Sequence, residues 1–301
     1  MARAMTVTTA IVDLSKLDPP TIVEQLDYET ILARKVARMQ ALLPDFDATV
    51  DSDPAMKVMQ VAAYDELLLR QDFQERLVGR LLAYATGATL DHIGAAIGVG
   101  RLVVTPANAT TGAVTVYEDD DSFRARIVLG PEGFAAAGPE LAYVKRAKDA
   151  GVDVLDASAI SPAPGEVLVT VLSRSGDGTA PEALVQAVRD IVTDKAVRPV
   201  GDFVTVAAAT QLRFVIDARL WTFAGPDPAL LIATSRKQLD KYLIDARRLG
   251  RNVTLSGINA ALTTPGVQRV EIVSPATDIV CDRTQAALCT TLTITHGGYD
   301  D

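Results

Sequence analysis

Apolar positions recur at helical spacing through the first third of the chain. After Pro19-Pro20, Thr21 and Glu24 form the pattern of a capping box, and Ile22, Leu26, Ile31, Leu32, Val36 and Met39 follow on one helical stripe. This predicts a helix up to Leu43, stopped by Pro44. Asp53 with Pro54 is a preferred opening pair, N-cap and first helical position. From there to Tyr84 only Gly79 interrupts, so the pattern predicts a second helix about 45–50 Å long. Its apolar set is broad: Met56, Met59, Ala63, Leu67, Leu68, Phe73, Leu77, Leu81, Leu82 and Tyr84. Two helices alone cannot cover both apolar faces. Either the rest of the chain completes a bundle or a partner does. The partner reading fits better, because no third helix of that length follows.

Downstream the period changes. Thr89 opens a short helix through Ile93 and Ile97 that ends at Gly98 and Gly100. Residues 101–117 alternate apolar and polar, with Pro106 and Gly112 as breaks, and predict extended or hairpin structure. Residues 119–130 read as a short helix with an acidic start, 130–139 as a Gly- and Ala-rich loop, and 140–150 as a helix. Strands follow at 152–159 and 166–173, a helix at 181–194, strands at 203–209 and 212–223, helices at 228–246 and 255–262, and a strand at 267–273. The fold class is α+β: N-terminal long helices that form a partner bundle, then small α/β domains with mixed sheets. The expected divisions are an arm over 1–18, a helical bundle region over 19–100 and a connecting β/helical region over 101–150. An α+β domain over 151–209, a C-terminal α+β domain over 210–285 and a Gly-rich, mobile tail over 286–301 complete them.

Gly151-Val152 leads from a helix into a strand that stops at Ser161-Pro162-Ala163, and Gly266-Val267 leads into one that stops at Ser274-Pro275-Ala276. Either two similar helix-to-strand units produce this echo or a coincidence over few residues does.

Composition narrows the partners. The formal net charge is -9, which argues against nucleic acid or an anionic membrane surface. Hydrophobic residues make up 49% and mean hydropathy is +0.20, yet no apolar run approaches the ~20 residues of a membrane span. Surplus apolar residues in such a chain belong in obligate interfaces. Residues 1–17 lack a secretory pattern, which predicts synthesis in the cytoplasm. Cys281 and Cys289 are the only two cysteines and are expected to stay reduced, although a disulfide between them is an open alternative.

Chemistry-bearing motifs are missing. His92 and His296 are the only histidines, the first a polar helix residue and the second in the expected tail. Cys281 and Cys289 have no partners at zinc spacing, and no phosphate-binding or nucleophile-elbow motif occurs. The run Glu118-Asp119-Asp120-Asp121 lacks the alternation of a calcium loop. It suits a solvated helix N-terminus neutralised by Arg124 and Arg126. The basic patch Arg247-Arg248-Leu249-Gly250-Arg251 suits a helix C-terminus or a polar contact. No catalytic residue, cofactor or metal site is expected.

Several segments resemble the baseplate assembly protein J family of contractile-tailed phages, R-type pyocins and similar tailocins. They are Leu26-Asp27-Tyr28-Glu29-Thr30-Ile31-Leu32, Leu90-Asp91-His92-Ile93-Gly94, Asp121-Ser122-Phe123-Arg124-Ala125-Arg126-Ile127 and Ala137-Gly138-Pro139-Glu140-Leu141-Ala142-Tyr143. Later come Val167 to Arg174, Val197-Arg198-Pro199-Val200-Gly201-Asp202, Arg248-Leu249-Gly250-Arg251 and Gly266-Val267-Gln268-Arg269-Val270. The resemblance implies a structural wedge subunit of a sixfold baseplate, without catalysis. In that family two copies join a smaller wedge protein of the protein I type through N-terminal helices. C-terminal domains pair and link wedges into a ring around the hub, among other baseplate and sheath-initiating proteins, and the ring changes shape when the sheath fires. On that reading Met56, Met59, Ala63, Leu67, Phe73, Leu77 and Leu81 line the helical partner interface. Trp221 and Phe223, at the end of a long strand, anchor self-association. An adaptor or ligand-binding α+β module is the alternative.

Overall fold

A computed structural model describes residues 14, 17–47, 50, 52–108, 111–134, 140–194, 198–199, 201–225 and 227–299. Most of the expected arm over 1–18, the part of the Gly- and Ala-rich loop over 135–139, and Val197 and Val200 of the resembling segments lie outside the described residues. The chain divides into two units. One comprises residues up to 101 together with 119–128, and the other 102–118 together with 129 onward.

The first unit is helical. Helix α1 (Tyr28–Leu42) opens on Asp27, whose carboxylate accepts the Thr30 N–H at 2.7 Å. The Thr21–Glu24 capping box does not open it. The amides of Ile22 and Val23 both donate to Gln74 Oε1 at 2.9 Å, and Gln74 Nε2 donates to the Pro20 carbonyl at 2.6 Å. A side chain from the next helix thus takes the donors that a first helical turn would leave unsatisfied. Helix α2 (Pro54–Val78) opens on Asp53 as expected, its carboxylate accepting the Ala55 N–H. It is shorter than its apolar pattern: 25 residues, about 37 Å. The chain turns at Gly79, and residues 80–85 continue in tight turns in which Leu81 N–H donates to Val78 and Tyr84 N–H to Leu81. Ile31 of α1 and Met56 and Ala63 of α2 are buried. Helices α3 (Gly87–Ala96) and α4 (Asp120–Leu129) close a small core of Ala85, Leu90, Val99, Phe123 and Ile127. Gly94 is required there: a Cβ would lie 2.6 Å from Phe123 Cζ and from the Val99 carbonyl.

The second unit begins with a short antiparallel pair, β1 (Val103–Thr105) and β2 (Val116–Tyr117). Helix α5 (Glu140–Asp149) then leads into a three-stranded sheet of β3 (Val154–Ile160), β4 (Glu166–Ser173) and β5 (Phe203–Ala208). Strand β4 is central, antiparallel to β3 and parallel to β5, with α6 (Glu182–Val192) as the crossover. Val169 and Val171 of β4, Ala147 of α5 and Val188 of α6 meet in its core without solvent exposure.

A second sheet repeats the arrangement. Strand β6 (Thr210–Thr222) is central, β7 (Val267–Ser274) antiparallel on one side and β8 (Gln285–Tyr299) parallel on the other. Helices α7 (Pro228–Ala246) and α8 (Leu255–Leu262) cover one face. Strands β3 and β7, the two that follow a Gly-Val exit, take the same place: an edge strand antiparallel to the centre. The echo therefore has a structural counterpart.

Strand β8 corrects the expectation of a tail from 286 onward, including a mobile His296. Residues 285–299 pair with β6 along its whole length, from Thr210 opposite Gln285 to Thr222 opposite Tyr299. Alternation of Leu292, Ile294 and His296 with threonines supplies the half-buried strand pattern, and the Thr222 hydroxyl and His296 Nε2 lie 3.0 Å apart in a hydrogen bond.

Candidate interaction surfaces

Helix α2 has two different faces. Toward α1 it presents Met56 and Ala63, and then the polar residues Glu66, Arg70 and Gln74 at four-residue steps. Glu66 accepts from Lys35 at 2.7 Å and from Arg70 at 2.9 Å, and Arg70 donates to the Glu24 carbonyl at 3.3 Å. Away from α1 lie Val58 (69% exposed), Val61 (62%), Tyr64, Leu68, Leu69 and Phe73. Of the residues expected at the partner interface, Met56 and Ala63 are buried, Met59, Leu67 and Leu77 half-buried, and Phe73 and Leu81 exposed. Val58, Val61, Tyr64 and Leu69 were not singled out by the sequence reading, which treated the apolar set as one face. The spacing of Glu66, Arg70 and Gln74 was the signal that could have separated the two, since a polar row in line with Ala63 marks the side already occupied.

The acidic run is divided among four separate tasks. Glu118 is buried and accepts the Leu102 N–H at 2.9 Å. Asp119 caps α4, accepting from the Ser122 N–H and hydroxyl, each at 2.8 Å. Asp120 accepts from Gly87 N–H at 3.1 Å and pairs with Arg101, which also pairs with Asp91 and lies 4.7 Å over the Phe123 ring. The Gly87 amide first, and then the Arg101 guanidinium, hold the Asp120 carboxyl below the usual carboxylate range. Asp121, exposed like Asp119, pairs with Arg124. Arg124 also donates to the Leu82 and Ala85 carbonyls at 2.9 and 2.7 Å, and Arg126 donates to the Gly100 carbonyl at 3.0 Å. The sequence reading saw the acidic helix start but missed Arg101, its main counter-charge.

In the second unit, Trp221 is half-buried on the sheet face opposite α7 and α8, flanked by the Arg269 guanidinium 4.6 Å from its ring centroid. Phe223, just past β6, is exposed. Around them that face carries Val215, Arg219, Glu271 and Val273 at alternate positions. The basic patch joins the two sheets. Leu249 N–H donates to Asp156 at 3.1 Å, Gly250 N–H to the Gln285 carbonyl at 3.0 Å, and Arg247 to the Gly176 carbonyl at 3.2 Å. Arg283 completes that seam, pairing with Glu140 at 2.8 Å and donating to the Ala159 carbonyl at 2.8 Å.

Cys281 and Cys289 are free thiols, and burial pushes both up from the ordinary thiol range. Among the described residues no group of three His, Cys, Asp or Glu side chains is arranged to hold a metal ion. No helix among them is long and apolar enough to cross a membrane. What the molecule offers is surface: an exposed apolar helix face, an open sheet face and long strand edges.

The chain is modular, a helical first unit followed by two mixed sheets of like order, and it belongs to the Baseplate J-like family. Residues 51–108 match the Baseplate J-like N-terminal domain, 135–208 the Baseplate J-like central domain, and 215–295 the Baseplate J-like protein C-terminal domain. Over 300 residues the chain is 40% identical to Baseplate protein J of Escherichia phage P2, a match that covers 97% of this chain and 99% of the phage protein.

Proposed function

We propose that this protein is a non-catalytic wedge subunit of a contractile-tail baseplate, carried in the finished tail particle. In this reading its N-terminal helices join a second copy and a smaller wedge protein of the protein I type. Its C-terminal domain, with Trp221 and Phe223 as candidate anchors, self-associates to link wedges into a ring around the hub. The ring then passes the trigger for contraction to the sheath.

The observation that carries this is the outer face of α2. Val58, Val61, Tyr64, Leu68, Leu69 and Phe73 expose an apolar strip on one helix, with Asp65 and Asp72 set among them. Leaving that strip in water forgoes about 25 cal/mol for each Å² that burial would remove from solvent. The family places this chain among baseplate proteins, so helices of other baseplate subunits are the natural cover.

Val61→Asp with Leu68→Asp tests it. Both side chains are already exposed, so the chain stays folded, while two charges enter the seam without partners. Co-expressed smaller wedge protein should no longer co-purify. Full retention of that partner by the folded double variant overturns the reading.

A further inference from the structure

Strand β8 pairs with a strand on one side only, β6; beyond Gln285, whose carbonyl accepts from Gly250, no other strand among the described residues pairs with its outer edge. Natural edge strands are commonly blunted by charged side chains, proline or bulges. Edge strand β7 carries Arg269 and Glu271, and β3 carries Asp156. Residues 285–299 contain no Asp, Glu, Lys, Arg or Pro. The register with β6 skips Thr290 and Gly297, so two bulges bracket a regular run, Thr291 to His296. Between the bulges the edge lacks Asp, Glu, Lys and Arg and is rich in β-branched residues.

We infer that this run pairs antiparallel with the same run of a second copy, about a two-fold axis through Thr293. The inference deepens the proposed self-association by naming its surface, and it rests on that reading. The carrying feature is the symmetry of the run itself. An axis through Thr293 sets Thr291 opposite Thr295, Leu292 opposite Ile294, and Thr293 opposite itself. Cross-strand partners share a sheet face. Thr291, Thr293 and Thr295 are all exposed on one face, and Leu292 and Ile294 both pack on the helix-covered core. Each residue from Thr291 to Thr295 thus meets a side chain of its own kind, and His296 lies beyond the symmetric stretch. Strand β5 is equally neutral but has no such symmetry, since its ends are Phe203 and Ala208. Two chains of net charge -9 repel, and an uncharged strand is where they approach without opposing carboxylates.

Register-specific cross-linking of the full chain tests this, in a Cys281→Ala, Cys289→Ala background. In the predicted pair Thr293→Cys faces its own copy within disulfide reach. On mild oxidation it should become a covalent dimer. Thr291→Cys faces Thr295, so alone it should cross-link about tenfold less, while a mixture of Thr291→Cys and Thr295→Cys should form the heterodimer. Equal cross-linking of Thr291→Cys and Thr293→Cys overturns the register. A dimer by light scattering in which Thr293→Cys does not cross-link overturns the edge but leaves self-association standing. A monomer at every concentration overturns both. Hydrogen exchange on the unmodified chain gives an independent reading, because amides of 291–296 should gain protection as concentration rises. Constant exchange there counts against the pair even if a cysteine variant fails to fold.

Discussion

The indole of Trp221 lies across the main chain of Gly297, so close that a Cβ on that glycine would sit 2.7 Å from ring atom Cε2. Gly298 is packed under the same ring and has a φ of 137°, a conformation that suits glycine. The tryptophan is therefore seated on its own domain, and a surface built around it inherits that seat. Gly297→Ala should force the indole outward and destabilise the second sheet by about 1–3 kcal/mol, the usual cost of overpacking. Urea unfolding followed by tryptophan fluorescence measures it directly, since Trp221 is the only tryptophan in the chain.

The same contact explains why part of the second unit was legible in the sequence and part was not. Period-two and helical patterns located β4, α7 and α8 to the residue, because each is bounded by proline, glycine or a capping side chain. Strand β8 was read as a tail because Gly297 and Gly298 suggest mobility. The glycines are instead a seat for an aromatic ring 76 positions earlier in sequence (297 − 221), and no local pattern carries that information. Helix α2 was overextended for a related reason. Gly79 is tolerated in helices, and only the turn geometry after it decides that the axis stops. The two-faced character of α2 depended on which side α1 occupies, a tertiary fact.

Acid should loosen the first unit through Asp120. Its carboxyl titrates below the ordinary range in the folded chain, so its contribution is present above about pH 4 and lost as pH falls through the folded value. Asp120→Asn should be less stable than the parent at pH 7, because the Arg101 pair is broken. The difference should shrink as pH falls and vanish below the folded value of Asp120, where both side chains are neutral. Thermal melts across that range check the convergence. A constant gap down to the lowest pH would assign the loss to packing instead.

Arg283 ties the two sheets of the second unit together. It reaches Glu140 and the Ala159 carbonyl, while its own carbonyl accepts the Ser158 hydroxyl. Arg283→Ala removes a part-exposed ion pair worth up to about 1 kcal/mol and a charge-assisted bond to Ala159 worth about 1.5–3 kcal/mol, from a seam that also holds Asp156, Arg247, the Arg213–Asp177 pair and the Leu172, Ala209 and Ala286 contact. The expected outcome is a less cooperative unfolding curve, with 140–208 and 210–299 separating into two transitions. Calorimetry resolves this, and a single unchanged transition would show that the seam does not couple the sheets.

Two substitutions on α2 should behave in opposite ways. Ala63 has no solvent exposure, and Val61, two residues earlier, is 62% exposed. Ala63→Asp places an unpaired carboxylate and extra volume against α1, so the cost combines charge burial with overpacking and should exceed about 3 kcal/mol. The variant should melt well below the parent even as an isolated chain. Val61→Asp puts its charge into water and should shift stability of the isolated chain by no more than about 0.5 kcal/mol. Its effect should emerge only with other baseplate subunits present, as weaker recovery in co-purification. Measured side by side, the pair separates the face that builds the fold from the face that meets a partner. Equal melting losses for both would mean that α2 has no outward face to offer.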